Sequence, residues 1–124
     1  MTPDQEVQEL RRWSAETVMG WQEWDHHNTD TWYDNYWYKE SKRVIEEESW
    51  RPDQDLTQCF GVFVEKMKEL GWHLTTDNHT FPTATFYQDP IDGPTFEGCD
   101  PDMLGIAILR AGKSAWNERR KHDR

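Results

Sequence analysis

The stretch DPDMLGIAILRAGKSAW, residues 100–116, decides how the rest of this 124-residue chain is arranged. Asp100 is suited to cap a helix and Pro101 to open it, which predicts a basic C-terminal helix over about 101–121. One side of this helix is apolar, and Ile106 and Leu109 lie on roughly the opposite side. A helix that is apolar on two sides must be covered twice, either as the central helix of the fold or by another subunit. We expect a homo-oligomer formed through this helix, because its small residues permit close approach: Gly105, Ala111, Gly112 and Ala115.

Two more helices are predicted upstream. Pro3 suits the first position of a helix that Gly20 ends. A second helix begins with the acids Asp53 and Asp55 in its first turn and ends at Gly71. Its apolar residues recur at helical spacing, which indicates one buried face.

The strand signals lie between the helices. Residues 21–50 form an insertion in which polar turn residues separate two aromatic runs, a pattern typical of a hairpin. Further strands are predicted at three places: 72–76, 83–87 and a short edge strand at 95–96. The order of elements predicts an α+β fold for a single domain over 1–124, with about three helices and a small, mainly antiparallel sheet.

The charge excludes some partners. The chain carries 24 acidic and 14 basic side chains, a formal charge of −10, yet residues 110–124 are locally basic. An acidic body disfavours direct nucleic-acid binding and docking on an anionic membrane, since both need Lys and Arg. No apolar run approaches the ~18 residues that span a bilayer, and the N-terminus lacks signal-peptide features. We therefore expect a soluble, cytoplasmic protein.

Neither catalysis nor a cofactor is indicated. Cys59 falls within an apolar helical stripe, which favours a reduced core thiol over a disulfide with Cys99. The adjacent His26 and His27 would point to opposite faces of a strand, which disfavours a metal site. No GxSxG, Walker or HExxH motif is present, so we expect no enzyme. The alternative is a hydrolase of small nucleotides that uses carboxylates of the aromatic hairpin.

Several short motifs occur together along the chain: VMGW (18–21), the aromatic run after it, RPDQD (51–55), the helix body 60–71 with Trp72, and IAILRA (106–111). As a set they resemble the phage ABA sandwich domain family of small phage and prophage proteins. The resemblance implies an α/β/α sandwich. That family also looks like the phage anti-Thoeris sponge proteins, which capture cyclic ADP-ribose-type immune signals as oligomers without cleaving them. This similarity implies an anti-defence protein that sequesters a nucleotide signal, either of that type or a cyclic oligonucleotide.

The resemblance also suggests ligand-binding residues. In the sponge proteins an aromatic ring stacks on adenine and arginines of the last helix hold phosphates, which implies Phe81 or Phe86 for stacking and Arg110 for phosphate. Lys113 lies one turn after Arg110 and adds charge, while Trp24 belongs to an aromatic run that suits a pocket wall. Three of these five residues also have a structural alternative: an ion pair for Arg110, a solvated lysine for Lys113 and core packing for Phe86.

A second hypothesis starts from the acidity. Residues 1–109 carry a formal charge of −14, and acids alternate there with Trp and Tyr, which are frequent anchors of protein interfaces. This pattern favours an inhibitor that mimics DNA or blocks a basic, nucleic-acid-binding protein of the host or its defence.

Overall fold

The structure is a computed structural model that describes these residues: 2–23, 36–40, 42–77, 81–88 and 94–122, with the backbone alone for 119–122. Within these ranges the chain forms three helices longer than ten residues and six strands. None of the described helices combines the length and the apolar character that crossing a membrane requires.

Helix α1 (Pro3–Trp13) begins where the sequence predicts. The Thr2 hydroxyl accepts a hydrogen bond from the Gln5 amide at 3.2 Å, and the Gln5 side chain accepts one from the Thr2 amide at 2.9 Å. This reciprocal pair satisfies two amides that a helix start leaves without partners. The helix continues as a π-helical turn, Ser14–Val18, and Gly20 follows with a φ of 73°, a conformation that glycine adopts readily.

Helix α2 consists of three consecutive pieces: Leu56–Gln58, the π-helical Cys59–Val64, and Glu65–Glu69. The Asp55 carboxylate accepts hydrogen bonds from the Thr57 and Gln58 amides and thereby caps its start. The predicted end at Gly71 is confirmed, since this residue has a φ of 96°. Asp53, which we expected in the first turn, lies before the helix and points into the interior.

Helix α3 (Leu104–His122) begins three residues later than predicted. One Asp100 carboxylate oxygen accepts hydrogen bonds from the Asp102 and Met103 amides, at 3.1 and 2.9 Å. Asp100 therefore closes a turn in front of the helix instead of capping the helix itself.

The six strands form two antiparallel sheets of three strands each. Sheet 1 contains, in spatial order, β1 (Gln22–Glu23), β2 (Tyr36–Lys39) and β3 (Lys42–Glu46); sheet 2 contains β4 (His73–Asp77), β5 (Thr83–Tyr87) and β6 (Thr95–Cys99). The pairing of β1 with β2 agrees with the predicted aromatic hairpin, whose turn lies outside the described residues. The predicted edge strand is β6, which lies at the edge of sheet 2 because the strand order is β4, β5, β6.

Helix α3 lies at the centre of the fold. A Cβ added at Gly98 of β6 would lie 2.4 Å from the Ala107 carbonyl oxygen, and one added at Gly105 would lie 2.3 Å from the Asp53 carbonyl oxygen. Sheet 2 therefore presses on one side of α3, and the segment before α2 presses on another. The apolar residues of both sides are buried within one chain: Ile106, Ala107, Ile108, Leu109, Ala111 and Ala115.

These contacts decide between the two explanations of the two-sided helix. The central-helix alternative applies, and the observation that suggested a subunit contact is explained within a single chain. A homo-oligomer through this helix stays a prediction that no contact described here supports.

The α+β class, the antiparallel pairing and the number of helices are confirmed. The strands form two sheets where we expected one.

In sheet 2, Ala84 and Phe86 of β5 are buried, whereas Thr83, Thr85 and Tyr87 on the opposite face are half-buried. Tryptophan fills much of the core, since four tryptophans are buried: Trp21, Trp37, Trp50 and Trp72.

Candidate binding groove

An open groove of about 600 Å³ lies between α1 and β6, with α3 as its third side. It is lined by Glu6, Glu9 and Leu10 of α1, Glu97, Gly98 and Cys99 of β6, and Arg110, Lys113, Ser114 and Asn117 of α3. Glu6 and Glu9 are three residues apart, as are Arg110 and Lys113, and this spacing places each pair on one side of its helix. The groove thus brings together residues from both ends of the chain.

Arg110 crosses one end of this groove. Its Nε donates a hydrogen bond to Oε1 of Glu6 at 2.6 Å, and its Nη1 donates to the Cys99 carbonyl oxygen at 2.6 Å and to Oδ1 of Asp100 at 3.2 Å. The hydrogen bond to Glu6, more than the added charge of Asp100, raises the pKa of Arg110. The side chain remains about one third exposed. Arg110 therefore makes the ion pair that was the alternative to phosphate binding.

The lining of the groove is acidic on balance. Three acidic residues line it, Glu6, Glu9 and Glu97, against two basic residues, Arg110 and Lys113. Asp100 adds a further carboxylate next to Arg110. This excess of negative charge would repel an anion that entered the groove. A cation that entered would find acidic residues other than Glu6, the one that binds Arg110.

The structure brings two of the five predicted ligand-binding residues together. Arg110 and Lys113 line the same groove. Phe86 is fully buried against Phe63, with ring centroids 6.3 Å apart, so it has no face to offer a ligand and the stacking prediction is wrong for it. Phe81 is 43% exposed but does not line this groove. Trp24, the fifth candidate, lies outside the described residues.

Sequence reasoning missed the carboxylates of the groove. Glu6 and Glu9 flank Val7 and Leu10, which mark the buried side of α1, so their spacing alone placed them at the border of that side. Nothing in the local sequence indicated that Arg110 would meet Glu6, because the two residues are 104 positions apart.

A second arginine cluster lies in the interior, on the opposite flank of α1. The Arg11 guanidinium binds the Asp53 carboxylate with two hydrogen bonds, of 2.7 and 2.9 Å. The Trp50 indole Nε1 donates to the buried Ser14 hydroxyl at 3.1 Å, and that hydroxyl donates to the Arg11 carbonyl oxygen. The cluster joins α1 to the segment before α2 and leaves little surface, since the Asp53 side chain is 1% exposed.

One cysteine lies near the buried Arg11–Asp53 cluster and the other lies in the groove. Cys59 is fully buried, and burial, assisted by the Asp53 carboxylate, raises the pKa of its thiol to about 12. Cys99 is exposed on the wall of the groove. Both thiols are free, so the prediction of a reduced core thiol at Cys59 is confirmed.

Within the described ranges, no three His, Cys, Asp or Glu side chains are placed to hold a metal ion. The histidines His26, His27 and His79 lie outside those ranges.

Comparisons of the chain with models of known protein families, with curated proteins and with solved structures give no match. The resemblance to the phage ABA sandwich family therefore stays a prediction.

Proposed function

We propose that this chain is a non-catalytic, acidic binding protein that engages a basic segment of a partner protein through the groove between α1 and β6. The observation that carries the proposal is the state of Arg110, whose guanidinium already binds Glu6, Asp100 and the Cys99 carbonyl oxygen. The cation best suited to hold an anion is thus occupied, while Glu9 and Glu97 stay available on the walls.

The ion pairs that Arg110 already makes favour a cationic partner over an anionic one. An anionic ligand that replaced Glu6 and Asp100 on Arg110 would break two ion pairs, and one that bound the remaining Nη2 would lie close to both carboxylates. A Lys or Arg side chain entering the groove would separate no ion pair and would gain a charge-assisted hydrogen bond. The formal charge of −10 adds long-range attraction of basic partners and accelerates their association.

The biological role that we propose is inhibitory. An acidic protein that occupies the basic surface of a nucleic-acid-binding protein, of the host or of its defence, competes there with phosphates.

Capture at low salt and titration test the proposal. The immobilised chain is incubated with bacterial lysate at about 50 mM salt, and the basic proteins retained are identified, purified and titrated by calorimetry. Affinity is expected to fall steeply with ionic strength. The variant pair Glu9→Lys and Asp102→Lys changes net charge equally, but only Glu9 lines the groove.

We expect Glu9→Lys to weaken binding by about tenfold or more and Asp102→Lys by about twofold. Equal losses in the two variants would show that net charge alone attracts the partner, and would remove the groove from the proposal. Retention of no basic protein at low salt would refute the function itself.

A second candidate function rests on one observation, that Arg110 and Lys113 share a groove of about 600 Å³, which is large enough for a nucleotide. In this function a phosphate replaces Glu6 and Asp100 on Arg110, and the protein sequesters the nucleotide intact. Calorimetry with cyclic ADP-ribose isomers and cyclic oligonucleotides tests it, with Arg110→Ala and Lys113→Ala as variants. Saturable binding that Arg110→Ala abolishes, with intact ligand recovered on denaturation, supports sequestration; no binding refutes it.

A further inference from the structure

We infer that the groove takes the partner segment as an extended strand that hydrogen-bonds to the free edge of β6; this inference rests on the proposed function. Strand β6 (Thr95–Cys99) pairs with β5 on one side, and no described element pairs with its other side. That other side faces α1 across the groove.

The register identifies the backbone groups that face the groove. In an antiparallel pair, alternate residues of a strand direct both their N–H and C=O groups to the same neighbour. The Asp100 amide donates to the Pro82 carbonyl oxygen at 3.1 Å, and these two residues continue the register in which Gly98 faces Ala84. Residues 96, 98 and 100 therefore bond to β5, and residues 95, 97 and 99 direct their backbone groups outward.

The contact of Arg110 agrees with this parity. Its Nη1 donates to the Cys99 carbonyl oxygen at 2.6 Å, so this carbonyl points away from β5 and towards α3 and the groove. Arg110 thereby closes the Cys99 end of the edge. The N–H and C=O of Glu97, together with those of Thr95, remain for an added strand.

The edge is also held in place, and it carries no proline, lysine or bulge that would prevent pairing. Gly98 lies so close to α3 that an added Cβ would be 2.4 Å from the Ala111 amide nitrogen, which fixes the middle of β6 against the core. The β5–β6 register is continuous over all five residues, without a bulge, and β6 contains no proline or lysine. Natural proteins use such features to prevent pairing at exposed edges. Here Glu97 is the charged residue of the strand.

Charge complementarity identifies the occupant as a basic segment. Side chains of an added strand would alternate between the two faces of sheet 2. On one face they would meet Glu97, which is exposed, and on the other they would approach the α1 wall with Glu6 and Glu9. A second copy of this chain fits less well, because each copy carries a formal charge of −10 and would bring another Glu97 to the edge. The recognition mode is therefore β-strand addition by a Lys- or Arg-rich extended segment.

A defined peptide tests this mode. The probe is a fluorescent octapeptide of alternating Arg and Thr, titrated with the full chain by anisotropy at about 50 mM salt. Glu97→Pro removes the outward N–H, and proline is tolerated at such edge positions. Glu97→Gln is the matched control, because it removes the same charge and keeps the N–H.

We expect Glu97→Gln to weaken binding about threefold and Glu97→Pro about tenfold more, because the hydrogen bond of the outward N–H is lost. The same peptide, N-methylated at alternate residues, should also bind about tenfold more weakly to the unaltered chain. This second measurement decides the question if Glu97→Pro fails to fold, which urea unfolding reports.

The outcomes separate the two proposals. If Glu97→Pro and Glu97→Gln bind alike and N-methylation has no effect, strand addition is refuted while salt-dependent binding in the groove still supports the proposed function. If the unaltered chain does not bind the peptide, strand addition is refuted, and titration of the captured partner decides the proposed function. If the chain sediments as a dimer that Glu97→Pro dissociates, the occupant is a second copy and the inference is refuted.

Discussion

Arg11 and Arg110 make similar contacts on opposite flanks of α1 and have different surroundings. Arg11 binds Asp53, whose side chain is 1% exposed, and the buried Ser14 and Trp50 lie next to this pair. Arg110 binds Glu6 with about one third of each side chain exposed, at one end of a groove. Both arginines join α1 to a distant part of the chain.

The difference separates a structural ion pair from one that a ligand can reach. Water is excluded from the Arg11–Asp53 pair, so removing one partner would leave a buried charge without compensation. Water reaches the Arg110–Glu6 pair and replaces a lost partner at small cost. The exposed Arg110–Glu6 pair is therefore accessible to a ligand, whereas the buried Arg11–Asp53 pair can only hold the fold.

The largest expected contrast concerns the two thiols, one in each region. The rise in the pKa of Cys59 from 9.0 to about 12 lowers its thiolate fraction at pH 8 by about a thousandfold. We expect the folded protein to react rapidly with one equivalent of a thiol reagent, at Cys99, and with a second only after denaturation. Cys99→Ser should abolish the rapid phase, and two equal rates in the folded protein would contradict the assignment.

The same shift has a consequence for stability. Because the pKa is raised in the folded state, the contribution of Cys59 to stability is fully present below about pH 9 and is lost as the pH rises towards 12. The free energy of unfolding should therefore fall on the alkaline side, and Cys59→Ala should fall less steeply over the same range.

Asp53→Ala breaks the buried cluster of Arg11, Asp53, Ser14 and Trp50. It leaves the largely buried Arg11 guanidinium without its carboxylate and should lower the free energy of unfolding by about 3 kcal/mol, measured in urea. Glu16→Ala is the matched control, because Glu16 forms an exposed pair with Arg12 at 2.8 Å on the same helical segment. That control should cost less than about 0.5 kcal/mol. Equal losses would mean that burial does not distinguish the pairs.

Gly105→Ala disturbs the same cluster from α3. The added Cβ would lie 2.3 Å from the Asp53 carbonyl oxygen and 2.6 Å from that of Pro52, so backbone must move. We expect a loss of about 2 kcal/mol in the free energy of unfolding. Gly61→Ala in α2 is the control, since nothing lies within 4 Å of its added Cβ, and it should be neutral or stabilising. A neutral Gly105→Ala would contradict the tight contact between α3 and the segment before α2.

The smallest effect is expected in the groove. Arg110→Ala removes contacts to Glu6, Asp100 and the Cys99 carbonyl oxygen, but solvent screening limits the loss to about 1 kcal/mol. The loss should shrink further at about 0.5 M salt. A loss as large as that of Asp53→Ala would show that the groove pair is structural, and would contradict the distinction between the exposed and the buried arginine pair.

Local signals predicted the helices well. Pro3 opens α1 and Gly71 follows α2 as predicted, because helix starts and positive φ angles depend on a few neighbouring residues. Helix α2 itself begins after Asp55, which caps it instead of lying in its first turn. The start of α3 was misplaced because the Asp100 carboxylate bonds two amides of a turn instead of the helix. A cap and such a turn use the same residue types, so the sequence does not distinguish them.

The site was less predictable. Arg110 and Lys113 were identified on one flank of α3 by their spacing, and both line the groove. Phe86 was misassigned because a strand pattern does not tell which of its faces packs on a helix, and this face packs on Phe63 and Gly112. The carboxylates of the groove come from α1 and β6, which the sequence could not place beside α3.

The sequence by itself determined the α+β class, the start of α1, the end of α2 at Gly71 and a last helix that must be covered on two sides, because periodicity and local turn chemistry act over a few residues. Only the tertiary structure decided what covers that helix: sheet 2 on one side and the segment before α2 on another, within a single chain. It also decided which carboxylate each arginine meets, since Glu6 and Arg110 are 104 positions apart and chain packing alone brings them together. Burial then makes one arginine pair a structural contact and leaves the other open to a ligand.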